Sequence, residues 1–154
     1  MKPAAASLLA VRVLLASVFI ASGFEKLNSP VQNFAAVIEK YQFIPAPLLS
    51  ATAHAVPWIE LVLGVLFALG LWTRASLLGL WVMNTGFIVL IGSALVRKLS
   101  IDECGCFGTA VSVPLPVTLA LDCVLWVLFL VYFRTLGRVP VPSLDNRFSL
   151  PAGR

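Results

Sequence analysis

The sequence predicts an all-α integral membrane protein: a four-helix bundle with a short amphipathic interfacial helix in its first outer loop. Three observations carry that prediction. The 154 residues are 60% hydrophobic and 12% charged, about half the roughly 25% charge of a soluble domain, which is too little to cover a water-facing surface. The mean hydropathy is +0.98. The apolar residues also gather in four runs, each near the roughly 17–25 residues that a bilayer crossing needs.

The first run spans residues 6–24. Lys2 before an apolar run that closes near "ASG" imitates a signal peptide. The length of the run and Arg12 within it favour a retained span. The loop that follows has its own pattern. Ser29 is placed to cap a helix with Pro30 at its first position. Val31, Phe34, Ile38 and Tyr41 then recur at helical spacing, and "IPAP", Ile44 to Pro47, is expected to end the element. This helix is expected to pack down over the bundle rather than to dock a partner.

The second run spans residues 50–72, with Pro57 in its first turns, and the third spans 75–96. The link between them is so short that they should form an antiparallel hairpin. The fourth run spans 115–133, and residues 137–154, rich in proline, glycine and arginine, read as a flexible cytoplasmic tail. Lys2, Arg74, Arg134, Arg138, Arg147 and Arg154 fall on one side, against Lys26, Lys40, Arg97 and Lys98 on the other. The positive-inside rule then puts both termini in the cytoplasm of a bacterial cell and the loop before the last span outside its inner membrane. The net charge of +4 comes without basic runs interleaved with aromatics, so nucleic-acid binding has no support.

Ionisable groups within spans are costly and are functional candidates. At 1.5 Å per residue, Arg12 lies about 18 Å below the outer end of its span and Glu60 about 15 Å below that of the second. The matched depths predict an Arg12–Glu60 ion pair. Asp122, about 10 Å down the last span, is a weaker partner for Arg12 and a group that could face an outer cavity with Lys26. Asn84 is expected to bond between helices.

The chemistry centres on "DECGCFG", Asp102 to Gly108. Cys104 and Cys106 sit one residue apart in a polar break, and Gly105 between them has the backbone freedom a tight ring needs. Three readings compete. A redox pair fits, since strained, exposed disulfides are the exchangeable kind. A structural disulfide would close almost no loop and so stabilise little. A metal site drawn from Cys104, Cys106, Asp102 and His54 lacks the second cysteine pair and the wider spacing of common zinc sites. The redox pair is the reading adopted, with no metal assigned. Asp102 and Glu103 disfavour the thiolate, which suits a relay that meets a strong partner. Phe107 and Gly108 could seat the loop. The third thiol, Cys123, reads as packing within the last span.

"CGCFG" before a final span resembles the methylamine utilisation protein MauE family, within the wider DoxX-like membrane proteins. "GFEKL", Gly23 to Leu27, is similar to that group's G-x-x-K-L signature, and "YQFIPAP" and "PWIELVLG" look like its first loop and second span. The resemblance covers Val11 to Tyr132. It implies a four-helix membrane protein of thiol redox work, linked to thioredoxin-like periplasmic proteins. Onto this chain it carries Gly23, Lys26, Glu60, Cys104, Gly105, Cys106, Phe107 and Gly108. The combined expectation is an inner-membrane thiol–disulfide relay that exchanges electrons with a periplasmic thioredoxin-like partner. The rival readings are a non-catalytic scaffold and a quinone-binding subunit of a larger oxidoreductase. A quinone is the one cofactor class left open.

Overall fold

The computed structural model describes residues 3–99 and 113–136. Five helices follow in order: α1 (Pro3–Asn28), α2 (Val31–Lys40), α3 (Ala46–Leu69), α4 (Thr73–Val96) and α5 (Leu115–Thr135). All but α2 are long and apolar enough to cross a membrane. The long helices close a ring, α1 on α3, α3 on α4, α4 on α5 and α5 on α1, and α2 packs across α3 and α1. The segment with Cys104 and Cys106, and the tail from residue 137, lie outside the described residues.

The distribution of side chains is that of a protein whose solvent is lipid. No more than 33% of any span's apolar window is buried. Val13, Val62, Val65, Val82, Val89, Leu121 and Val124 face outward, while Arg12, Ser22, Lys26, Glu60, Asn84 and Asp122 are buried. Water would reward the reverse arrangement.

Two glycines set the α1–α3 distance. A Cβ on Gly23 would lie 2.8 Å from the Pro57 carbonyl oxygen and 2.9 Å from the Leu61 nitrogen, and one on Gly64 would lie 2.9 Å from Ile20. Without Cβ atoms the backbones approach closely, the usual packing of membrane helices. The contacts also fix the register, with Gly23 opposite Glu60 and Gly64 opposite Ile20 and Ala16.

The α3–α4 hairpin is antiparallel, as expected. Gly70 ends α3 in the left-handed region at φ 68°, and the N–H of Leu71 bonds to the Leu66 carbonyl at 2.9 Å, a glycine stop of the Schellman type. One aromatic cluster fills this hairpin end, with Phe67 edge-on to Tyr132 at 5.3 Å and Phe19 against Phe129 at 5.8 Å. A smaller cluster of Tyr41, Ile91, Ala94 and Leu115 closes the opposite, α2 end.

Several boundaries differ from the sequence reading. α1 continues to Asn28 instead of stopping at Phe24, because Lys26 is sheltered by a partner and need not leave the helix. Ser29 makes no side-chain cap on α2, and Pro30 occupies the cap position itself. "IPAP" does not end α2; the helix stops at Lys40, with Gln42 turned into the left-handed region at φ 52°. The prolines instead begin α3, with Pro45 as its cap and Pro47 in its first turn, where a missing N–H is harmless. α2 does lie down on the bundle, burying Ile38 and Tyr41. Arg97 pins its end, donating to the Tyr41 carbonyl and to Gln42 Oε1, both at 3.1 Å.

Candidate functional site

The centre of the α2 half is a buried charge network. Lys26 Nζ donates to Glu60 Oε2 at 2.8 Å, to Glu60 Oε1 at 3.0 Å and to Ser22 Oγ at 2.6 Å. The Ser22 hydroxyl donates in turn to Glu60 Oε2 at 3.2 Å. Both charged side chains are completely enclosed. Local sequence makes this geometry. Ser22 and Lys26 are four apart and share one face of α1, and Gly23 between them lets that face approach α3 at Glu60. Two rings flank the ammonium, with centroids 5.3 Å (Phe34) and 5.6 Å (Phe87) away, a cation–π arrangement.

This overturns the expected Arg12–Glu60 pair. The depths match only when counted from each helix's own end, and those ends are not level. The register sets Glu60 opposite Gly23, and Arg12 lies roughly 16 Å further along α1 at 1.5 Å per residue. Arg12 instead reaches the hairpin end, where it faces Tyr132 on α5. Among the described residues, its Nε and Nη1 and the Tyr132 hydroxyl have no hydrogen-bond partner.

Asp122 does lie on the Lys26 side of the bundle. It is buried, and its charge reaches Lys26, Glu60 and Tyr41. Asn84 bonds between helices as expected, its Nδ2 donating to the Asp122 carbonyl at 2.9 Å. Among the described residues, Asp122 Oδ2 and Asn84 Oδ1 have no hydrogen-bond partner. Burial first, and then the negative charge of Asp122, push the Tyr41 phenol up to about 12. Cys123 does not pack in the core. It is exposed on the outer face of α5, since its neighbour Asp122 takes the inward position. His54 is exposed, with Nδ1 2.7 Å from the Ser50 carbonyl.

Beside the network lies a cavity of about 320 Å³. α2 roofs it with Phe34, Val37, Ile38 and Tyr41, the following link adds Phe43 and Ile44, and α3 and α4 supply Val56, Met83, Phe87 and Ile91. Among the described residues, Lys26 is the only charged one in its lining. Gly86 also borders it, is exposed, and would carry a Cβ into open space. The sequence reading paired Lys26 with an outer cavity but missed Ser22, Phe34, Phe87 and the cavity's walls. The Ser-x-x-x-Lys spacing was the available signal for Ser22. Nothing local announces Phe87, which arrives from another helix.

With this geometry in view, residues 4–135 match the family of methylamine utilisation protein MauE. The chain belongs to the MauE family. The match spans all four long helices and the intervening Cys104/Cys106 segment. No curated protein and no solved structure matches the chain. The MauE assignment makes this a multi-pass membrane protein of a family described by methylamine utilisation.

Proposed function

We propose that the protein is a thiol–disulfide relay of the bacterial inner membrane, with both termini cytoplasmic, whose Cys104/Cys106 pair exchanges electrons with a periplasmic thioredoxin-like protein and so supports disulfide formation or maturation of a client. The observation that carries the reading is the Cys104–Gly105–Cys106 spacing in the segment between α4 and α5 of a MauE-family chain. Exchange balances as two thiols on one partner becoming a disulfide while the disulfide of the other is reduced to two thiols. Phe107 and Gly108 would seat the loop. The Lys26–Glu60 network, with Arg12 and Asp122 elsewhere in the spans, supports the bundle that presents it.

Serine replacement tests the reading. Cys104→Ser and Cys106→Ser should each abolish activity in the cell, and one of them should trap a mixed disulfide with a thioredoxin-like partner. Cys123→Ser should leave activity intact, since that thiol faces away from the bundle. Full function in the double serine variant would sink the relay and leave a non-catalytic scaffold. Labelling of the reduced pair by an impermeant maleimide only after spheroplasts are permeabilised would overturn the orientation.

A further inference from the structure

We propose that the cavity under α2 seats one acyl chain of an anionic phospholipid, whose headgroup rests on the exposed cations around Tyr41. The site is independent of the thiol relay.

Position and walls select a hydrocarbon chain. α2 packs on α3 and α1, and the cavity, about 320 Å³, stands between it and residues 83–91 of α4. Phe34, Val37, Val56, Phe87 and Leu90 make its walls apolar. Lys26 offers a ligand nothing, since Glu60 and Ser22 enclose its ammonium. Thr52 and Tyr41 add one hydroxyl each, too few for a polar-ended molecule stripped of its water. The wall opens to the bilayer at Gly86, which is exposed and lacks a Cβ, and beside Phe43, which is 59% exposed. The length also fits. At 1.5 Å per residue, Gly86 and Arg97 are roughly 16 Å apart along α4, about one leaflet of the roughly 30 Å hydrocarbon core. A chain seated between Ile91 and Gly86 therefore puts its headgroup level with Arg97.

Three exposed cations gather at that level, Lys40, Arg97 and Lys98. Lys40 precedes Tyr41, a wall of the cavity. Arg97 donates to the Tyr41 carbonyl and to Gln42 Oε1, and Leu99, next to Lys98, packs with Tyr41 and Ile91. Both partners of Arg97 are neutral, and the one ion pair among the described residues is Lys26–Glu60. The three charges outweigh the exposed Glu39 and the ends of α2 and α4, each worth about half a negative charge. A basic site at the mouth of a cavity between helices suits an anionic headgroup. The two features together fix the occupant. A bare hydrocarbon has no use for the cations, and a soluble anion has no use for the cavity.

The test uses the full chain, stripped of lipid in detergent and titrated under native mass spectrometry. The probes are palmitoyl-oleoyl phosphatidylglycerol and the phosphatidylcholine with the same chains. One phosphatidylglycerol per chain should be held, more tightly than phosphatidylcholine. Lys40→Gln/Lys98→Gln keeps the Arg97 hydrogen bonds and should weaken phosphatidylglycerol about fivefold per charge, with phosphatidylcholine unchanged. Gly86→Leu should fill the cavity from its wall and weaken both lipids about tenfold, the equivalent of about two methylenes left unburied. Leucine is the better helix former, and a Cβ there meets no neighbour, so this variant should keep the wild-type melting temperature. A phosphatidylglycerol with a diazirine midway along one chain should label α4 of the unaltered protein between Met83 and Leu90. Equal affinity for the two lipids overturns the headgroup seat. Undiminished binding by Gly86→Leu overturns the chain seat, and so does labelling spread evenly over the four long helices. Oleate held as tightly as phosphatidylglycerol would make the occupant a free fatty acid and overturn the phospholipid. None of these readouts involves Cys104 or Cys106, so the relay and the lipid site stand or fall separately.

Discussion

One helix, α1, buries two cations and treats them oppositely. Lys26, near its C-terminal end, has two carboxylate oxygens, a hydroxyl and two aromatic faces within reach. Arg12, at the hairpin end, faces a tyrosine hydroxyl and has two guanidinium nitrogens without hydrogen-bond partners among the described residues. The four carboxylates among the described residues, Glu25, Glu39, Glu60 and Asp122, all fall in the α2 half. The contrast teaches that burial alone does not mark a site. Lys26 adjoins a cavity and is held by a fixed acid, so its charge is buried without being stranded. Arg12 is packed beside an aromatic cluster.

The largest test of this contrast is to strand one partner of the Lys26 network. Glu60→Ala should cost roughly 3–5 kcal/mol, because an ammonium would remain in low dielectric without its counter-charge. Lys26→Met/Glu60→Gln should recover much of that loss. Thermal unfolding in a mild detergent measures both. If the double variant is as unstable as the sum of its single changes, the two residues do not act as a pair.

Next in size is the close approach that builds the network. Gly23→Ala should cost about 3 kcal/mol, at the upper end for overpacking. The new methyl group would press on backbone atoms of Pro57 and Leu61 at 2.8 and 2.9 Å, which cannot rotate away. It would also part Lys26 from Glu60. Gly92→Ala is the control, since a Cβ there meets nothing within 4 Å. Equal melting temperatures for the two alanine variants would show that Gly23 does not set the helix distance.

The four long helices were legible because lipid imposes one dominant requirement, an apolar run of sufficient length. α2 was legible from its amphipathic spacing, though not its caps, since proline both ends and begins helices and local pattern does not say which. The partner of Glu60 was misread for a different reason. Depth was counted from helix ends, whereas register is set by the glycine contacts between α1 and α3. Those involve residues far apart in sequence, Gly23 with Pro57 and Gly64 with Ile20. The cavity is harder still, because it is assembled from four helices and a link and no single segment carries its outline. The cysteine pair, by contrast, stands out in sequence and falls in a segment outside the described residues.

A third test reads the field of the α2 half through Tyr41. Its phenol stands at about 12 in the folded protein against an ordinary 10.0, from burial and then from Asp122. The unfolded chain therefore loses this proton first as pH rises. Stability should be unaffected by Tyr41 below about pH 10 and should fall between about 10 and 12, by on the order of 2 kcal/mol. The phenol's ultraviolet titration should show the delay, and Asp122→Asn should shorten it. A Tyr41 that titrates at its ordinary value in the folded protein would mean that Asp122 and the packed roof do not act on it.

The smallest effect is expected at Arg12, and it decides whether the contrast is real. Among the described residues Arg12 has no counter-charge, and a guanidinium so placed contributes desolvation cost and little attraction, so an apolar side chain of similar length loses almost nothing by replacing it. Arg12→Met should change the melting temperature by the equivalent of less than about 1 kcal/mol in either direction. The change should also add to that of Glu60→Ala within about 0.5 kcal/mol, because the two sites share no partner. Tyr132→Phe, which removes the facing hydroxyl, should be similarly mild. A loss as large as that of Glu60→Ala would show that Arg12 holds a charged partner of its own. The hairpin end would then carry a second ion site, and the asymmetry along α1 would disappear.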